Sequence, residues 1–185
     1  MKILLASQSP RRKELLTSLG YDFETVSIDC DEIFPETIPS QEVAGYLSEL
    51  KANAYSNLQN DEVLITADTV VVLNHEILGK PNDKEHALEM LKKLSGKTHQ
   101  VYTGITLKTL EQTVTKTDVA DVEFLDFNDE EINYYIDNLK PFDKAGSYGI
   151  QEWLGMAKIS KINGSFYTIM GLPTHLIHEE LGKLK

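Results

Sequence analysis

Residues 1–14 read MKILLASQSPRRKE: an apolar run, small polar residues, a proline and three cations. Ile3, Leu4, Leu5 and Ala6 predict a short buried strand. Ser9 is a favourable N-cap and Pro10 a favourable first helical residue, so a helix is expected to open with Arg11, Arg12 and Lys13. A strand turning into a helix whose first turn offers backbone N–H groups and two guanidinium groups attracts phosphate. The whole chain carries a formal net charge of −11. Cations gathered at one loop of an acidic chain predict a local anion site, not a surface for a polyanion.

The composition sets the outer bounds. A chain of 185 residues fits one domain, or one domain with a lobe. With 41% hydrophobic and 25% charged residues it reads as an ordinary soluble globular protein. No apolar run approaches the ~20 residues that span a bilayer. The N-terminus lacks the pattern of a signal peptide. Cys30 is the only cysteine, which excludes an intrachain disulfide and suits a cytoplasmic location. The negative charge disfavours nonspecific binding to nucleic acid or to an anionic membrane. An anionic substrate would need local cations or a bound metal.

Further along, residues 22–28 predict a strand, followed by the acidic loop DCDEIFPETIPS. Val43, Leu47, Leu50 and Ala54 recur at helical spacing within 40–57, with Ser40 as the expected cap. Residues 63–73, VLITADTVVVL, are β-branched and almost wholly apolar, the pattern of a central strand. The chain is expected to turn back at NHE, and Asp83 to cap a helix through Leu94. Alternation predicts strands over 98–108 and 113–126, and Asn128 with Glu131 predicts a capping box for a helix over 129–139. Asn163-Gly164 suggests a hairpin joining 156–162 to 165–170, and a last helix follows Pro173. The expected fold is α/β with a mixed central sheet flanked by helices. Residues 98–145 are a candidate for a partly separate lobe.

Asp68 is the residue most at odds with its surroundings. An ionised carboxylate inside an apolar strand costs several kcal/mol unless it is paired or metal-bound. It either caps a strand end or serves as a base or metal ligand at a cleft, with Thr69 beside it. The acidic set Asp29, Asp31 and Glu32 is a solvated turn, or gives one or two carboxylates to Mg²⁺. Lys51, Lys80 and Lys144 are surface lysines or phosphate partners. Lys80 sits between a glycine and a proline, and Lys144 precedes AGSYG. In KAGSYGIQ the glycines permit close backbone approach, and the Gln151 amide could read a base edge through its paired donor and acceptor.

Seven stretches, in order and spanning almost the whole chain, resemble the Maf family of nucleoside triphosphate pyrophosphatases: ASQSPRRKELL (6–16), KANA (51–54), ADTVV (67–71), GKP (79–81), SGKTHQVYTG (95–104), DKAGSYGIQ (143–151) and GSFYTIMGLP (164–173). The resemblance implies one Maf-like domain over 1–185, similar in fold to the inosine triphosphate pyrophosphatases, with two lobes and a cleft. It implies hydrolysis of a triphosphate to the monophosphate and pyrophosphate with a divalent cation, Mg²⁺ or Mn²⁺. Asp68 would be the proton acceptor, and Glu32 and Asp68 the metal ligands. Arg11, Thr69 and Gln151 would set substrate choice, and Ser7, Arg12, Lys51, Lys80 and Lys144 would bind substrate. ADT and KAGSYGIQ resemble the branch acting on dTTP and UTP. EWLGMAKI after Gln151 departs from the glycine-rich continuation of many relatives. The expected partner is a small nucleotide, with a homodimer left open. The rival readings are a nucleotide-binding regulator of cell division without turnover, and a phosphomonoesterase or nucleotidyl transferase.

Overall fold

The apolar N-terminal run forms strand β1 (Lys2–Leu5), and Pro10 opens helix α1 (Pro10–Ser18) with Ser9 at the cap. This is a computed structural model, and it describes residues 1–184. Strand β2 is Phe23–Thr25, shorter than the expected 22–28, and its three residues pair in parallel with Ile3–Leu5. β1 ends at Leu5, opposite Thr25, and the Val26 N–H bond to the Leu5 carbonyl at 3.1 Å is the last between them. Helix α2 runs Ser40–Ala54, ending before the expected residue 57. Its cap position is Pro39, and Ser40 is the first helical residue. Strand β3 (Glu62–Leu73) pairs in parallel with β1 and is buried along almost its whole length. Full burial of a side chain such as Leu64 or Ile65 contributes roughly 1.5–3 kcal/mol.

After β3 the chain turns back into β4 (Glu76–Leu78), antiparallel to it. Helix α3 (Lys84–Leu94) starts as expected, with the Asp83 carboxylate accepting from the His86 N–H at 2.8 Å. Strands β5 (Thr98–Lys108) and β6 (Thr113–Phe124) follow, then helix α4 (Asp129–Leu139). The α4 capping box is complete: Asn128 accepts from Glu131 N–H at 3.0 Å, and Glu131 accepts from Asn128 N–H at 2.9 Å.

The hairpin expected around Asn163-Gly164 does not form. Residues Trp153–Lys158 are helix α5, Ile159–Asn163 are strand β7 and Phe166–Met170 are helix α6. β7 pairs antiparallel with β6, leaving no partner role for 165–170. Gly164 is required for another reason. It holds φ +125°, and a Cβ there would lie 2.8 Å from Ala120 Cα on β6. Helix α7 (Thr174–Lys183) follows Pro173 as expected.

The result is a mixed α/β protein with a seven-stranded sheet flanked by helices, in the order β2-β1-β3-β5-β6-β7 with β4 on β3. The chain divides into two compact units. The first holds Met1–Thr69, Thr103–Asp118 and Gly171–Lys185, and the second Val70–Tyr102 and Val119–Met170. β3, β5 and β6 each contribute residues to both. A small core in the first unit joins Leu4 and Leu64 to Ala52 and Leu58. A larger one in the second gathers β3–β6 residues with α3 and α4 around Leu91, Phe124 and Tyr135. Among the described residues no helix is long and apolar enough to cross a membrane.

Candidate active site

In the first unit, alternation along β3 decides which groups meet. Thr66 and Asp68 share one face, and both reach α2. Thr66 Oγ1 donates to the Ser48 carbonyl at 2.6 Å, and Lys51 Nζ donates to Asp68 Oδ1 at 2.6 Å. Ser48 and Lys51 are three apart on α2, so one helix face serves both strand residues. Lys51 Nζ also lies 3.0 Å from Glu32 Oε1 on the acidic loop. The Asp68 side chain is 12% exposed and that of Glu32 51%, so one carboxylate is sunk in the protein and the other faces water. Asp68 is thus a paired acid within the strand, not a cap at its end.

Thr69 points to the opposite face. Its hydroxyl lies 2.9 Å from that of buried Thr103 and accepts from Arg12 Nη2 at 3.2 Å. Arg12 also donates to the Gly171 carbonyl at 2.7 Å and the Ala67 carbonyl at 2.9 Å. Its planar fork therefore ties α1, β3 and the segment before α7 together. Burial pulls the Arg12 pKa downward and the Asp68 charge opposes it; the guanidinium stays charged. Ser7 is buried, and its hydroxyl accepts from the Ser9 N–H at 3.2 Å, which shapes the entry to α1. Arg11 stands in the first turn of α1.

The remaining candidates belong to the second unit. Lys80 is exposed after β4, and the Gly146 N–H donates to the Gly79 carbonyl at 3.1 Å, which joins GKP to the AGSYG stretch. Lys144 is buried, with its ammonium 2.7 Å from Asp143 Oδ1 and 3.1 Å from Glu152 Oε1. Gln151 is exposed in a turn closed by the Glu152 N–H on the Gly149 carbonyl at 3.0 Å. The Tyr135 hydroxyl donates to Glu152 Oε2 and accepts from the Gly149 N–H at 3.0 Å. Tyr148 and His99 are buried partners, Nε2 to hydroxyl 2.7 Å, while His99 Nδ1 has no partner among the described residues.

Sequence reasoning missed Thr103, Tyr135, Glu152 and the carbonyls of Ala67 and Gly171. A carbonyl leaves no trace in a sequence, and Tyr135 reads only as one more member of an apolar helix face. Glu152 is adjacent to Gln151 and could have been found from that.

Among the described residues no group of three or more His, Cys, Asp or Glu is placed to hold a metal. Two carboxylates, Glu32 and Asp68, do converge on one ammonium. Hard oxygen donors in that number suit a cation such as Mg²⁺, which takes one or two carboxylates and fills its other positions with water and substrate phosphate.

The chain matches the family described as Maf-like protein over residues 2–184. It is 50% identical over 185 residues to a protein of Bacteroides thetaiotaomicron named dTTP/UTP pyrophosphatase, covering 99% of this chain and 96% of that one. It is 49% identical to one of the same name from Flavobacterium psychrophilum, covering 96% and 91%. A third, from Porphyromonas gingivalis, is 48% identical, covering 97% and 92%. Among solved structures, a HAM1 protein from Coxiella burnetii aligns with a TM-score of 0.42 at 14% identity, covering 67% of this chain and 73% of that one. The family match over nearly the full length, with relatives at about half identity, is decisive: the chain belongs to the Maf-like protein family.

Proposed function

We propose that this protein hydrolyses dTTP and UTP to the monophosphate and pyrophosphate, acting as a single domain in the cytoplasm. The observation that carries the reading is Asp68, an acid sunk in β3 and held by Lys51 beside a second carboxylate, Glu32. The name of the relatives supports the substrate. Asp68 takes the proton of the attacking water, as a base fixed by Lys51. Lys51 also keeps Glu32 and Asp68 together against their mutual repulsion. Glu32 and Asp68 would hold a divalent cation, which would supply charge neutralisation at the phosphates and lower the pKa of a bound water. Arg11 and the start of α1, shaped by Ser7, bind phosphate. Arg12 fixes Thr69, which with Gln151 sets substrate choice, and Lys80 offsets charge on the leaving pyrophosphate.

The test is a screen of canonical and modified triphosphates in Mg²⁺ or Mn²⁺, with product identification and an EDTA arm. Monophosphate plus pyrophosphate from dTTP and UTP, lost on chelation and restored by metal, is the expected result. Inorganic phosphate alone would make the protein a phosphomonoesterase, and binding without product would make it a regulator.

A further inference from the structure

The Gly149–Glu152 turn carries Gln151 near its tip, and a single oxygen grips both of its ends. The Tyr135 hydroxyl accepts from the Gly149 N–H at 3.0 Å and donates to the Glu152 carboxylate. The turn's own bond, Glu152 N–H to Gly149 carbonyl, closes the ring at 3.0 Å. Tyr135 is fully buried on α4, whose capping box fixes where the helix begins. Gly149 makes room for the arrangement: a Cβ there would lie 2.8 Å from Glu152 Cδ and 3.0 Å from Oε2. The other carboxylate oxygen of Glu152 holds Lys144 at 3.1 Å. Lys144, 9% exposed and also paired with Asp143, is committed within this loop.

We propose that Tyr135 is a positioning residue that staples both ends of the Gly149–Glu152 turn and so fixes Gln151 for reading the base, with Lys144 bracing the same turn through Glu152 instead of binding phosphate. The proposal rests on the reading of Gln151 as a base-contacting residue. The phenol suits the task chemically. It is donor and acceptor at one atom, so it satisfies a backbone N–H and a carboxylate at once. Burial, and then the hydrogen bond to Glu152, push its pKa upward, which keeps the donor proton in place. An exposed glutamine without such a staple would sample many orientations, and an amide discriminates between bases only when its donor and acceptor are held in register.

The test uses four variants of the full chain. Tyr135→Phe removes the oxygen. Gly149→Ala keeps it and pushes the Glu152 carboxylate aside, which covers the case in which the first variant does not fold. Circular dichroism checks folding. Exchange of the backbone amide at position 149, relative to its unfolded-chain rate, and the ratio of kcat/KM for dTTP to that for GTP are measured in each. The expected result is exchange at position 149 at least about tenfold faster than in the wild type. The dTTP-to-GTP ratio should fall several-fold, through KM more than kcat. In Glu152→Gln, which keeps an acceptor for the Tyr135 hydroxyl, the ratio should recover in part relative to Glu152→Ala. Unchanged exchange in the folded variants, or faster exchange with an unmoved ratio, overturns the proposal. A wild-type protein that releases no pyrophosphate from either nucleotide overturns instead the functional reading beneath it.

Discussion

Lys51 and Lys144 each lie between two carboxylates, at 2.6 and 3.0 Å in the first unit and at 2.7 and 3.1 Å in the second. The ion pairs are nearly the same; their surroundings are not. Around Lys51 one carboxylate, Glu32, is half exposed, and the sunken one, Asp68, meets Lys51 through Oδ1. Around Lys144 one carboxylate, Asp143, is likewise exposed, but the sunken one, Glu152, has both oxygens engaged, one by Lys144 and the other by the Tyr135 hydroxyl. A charged cluster with spare lone pairs facing water can take a ligand. One whose buried carboxylate is held at both oxygens from inside the protein shapes a loop. Counting charges would not distinguish the two clusters; counting unsatisfied acceptors does.

The largest effect expected is at Asp68. Asp68→Asn keeps the shape and removes the base, so pyrophosphate release should drop by about 10²–10⁴-fold. Nucleotide binding should largely survive. Near wild-type turnover in a folded variant would remove Asp68 from the chemistry and with it the contrast between the two clusters.

Next come the lysines themselves. Lys144→Met leaves Glu152 with an uncompensated, mostly buried charge, and a loss of about 3 kcal/mol in denaturant unfolding is expected. Lys51→Met leaves Asp68 equally uncompensated, so a similar loss of stability is expected, and turnover should fall with it, whereas Lys144→Met should spare turnover of dTTP by comparison. If both variants lose activity equally, the two clusters play the same part.

The buried histidine of the second unit gives a pH test. Burial pulls His99 down to about 4 from an ordinary 6.5. Between those values the unfolded chain binds a proton that the folded one refuses. Stability is therefore complete above pH 6.5 and falls as the pH drops toward 4, by up to roughly 3 kcal/mol. Denaturant unfolding at pH 7 and pH 4.5 should show the decline, and His99→Gln should flatten it. An equal slope in wild type and variant would place the acid sensitivity elsewhere.

The smallest effect serves as a control on positioning. Asn128→Ala removes one side of the α4 capping box and should cost about 1 kcal/mol in unfolding. Since α4 carries Tyr135, a changed nucleotide preference in this variant would mean that helix stability alone moves Gln151. An unchanged preference leaves the phenol as the cause.

How much of this could be read from the sequence depended on how local the cause was. Asp83 and the Asn128–Glu131 pair cap helices through bonds three residues long, and both were legible. β3 announced itself by its unbroken apolar run, and Asp68 by interrupting it. The stretch from Trp153 to Met170 was not legible, because Asn163-Gly164 carries a strong turn signal whose actual use is to let the chain pass close to Ala120. Arg12 was legible as a cation. Its acceptors, mostly main-chain carbonyls and one of them 159 residues away, were not. Tyr135 and Glu152 stand 17 residues apart on elements whose contact no periodicity encodes.

The first unit is threaded from three separate lengths of chain, the last beginning at Gly171. On a ribosome, which delivers the N-terminus first, Arg12 would wait for its Gly171 acceptor until nearly all of the polypeptide had emerged. The second unit, whose residues lie between 70 and 170, would have its full complement earlier. The unit that holds Glu32 and Asp68 is then the one completed last. A chain that ended before Gly171 would leave Arg12 without that acceptor and the first unit without the last of its three lengths.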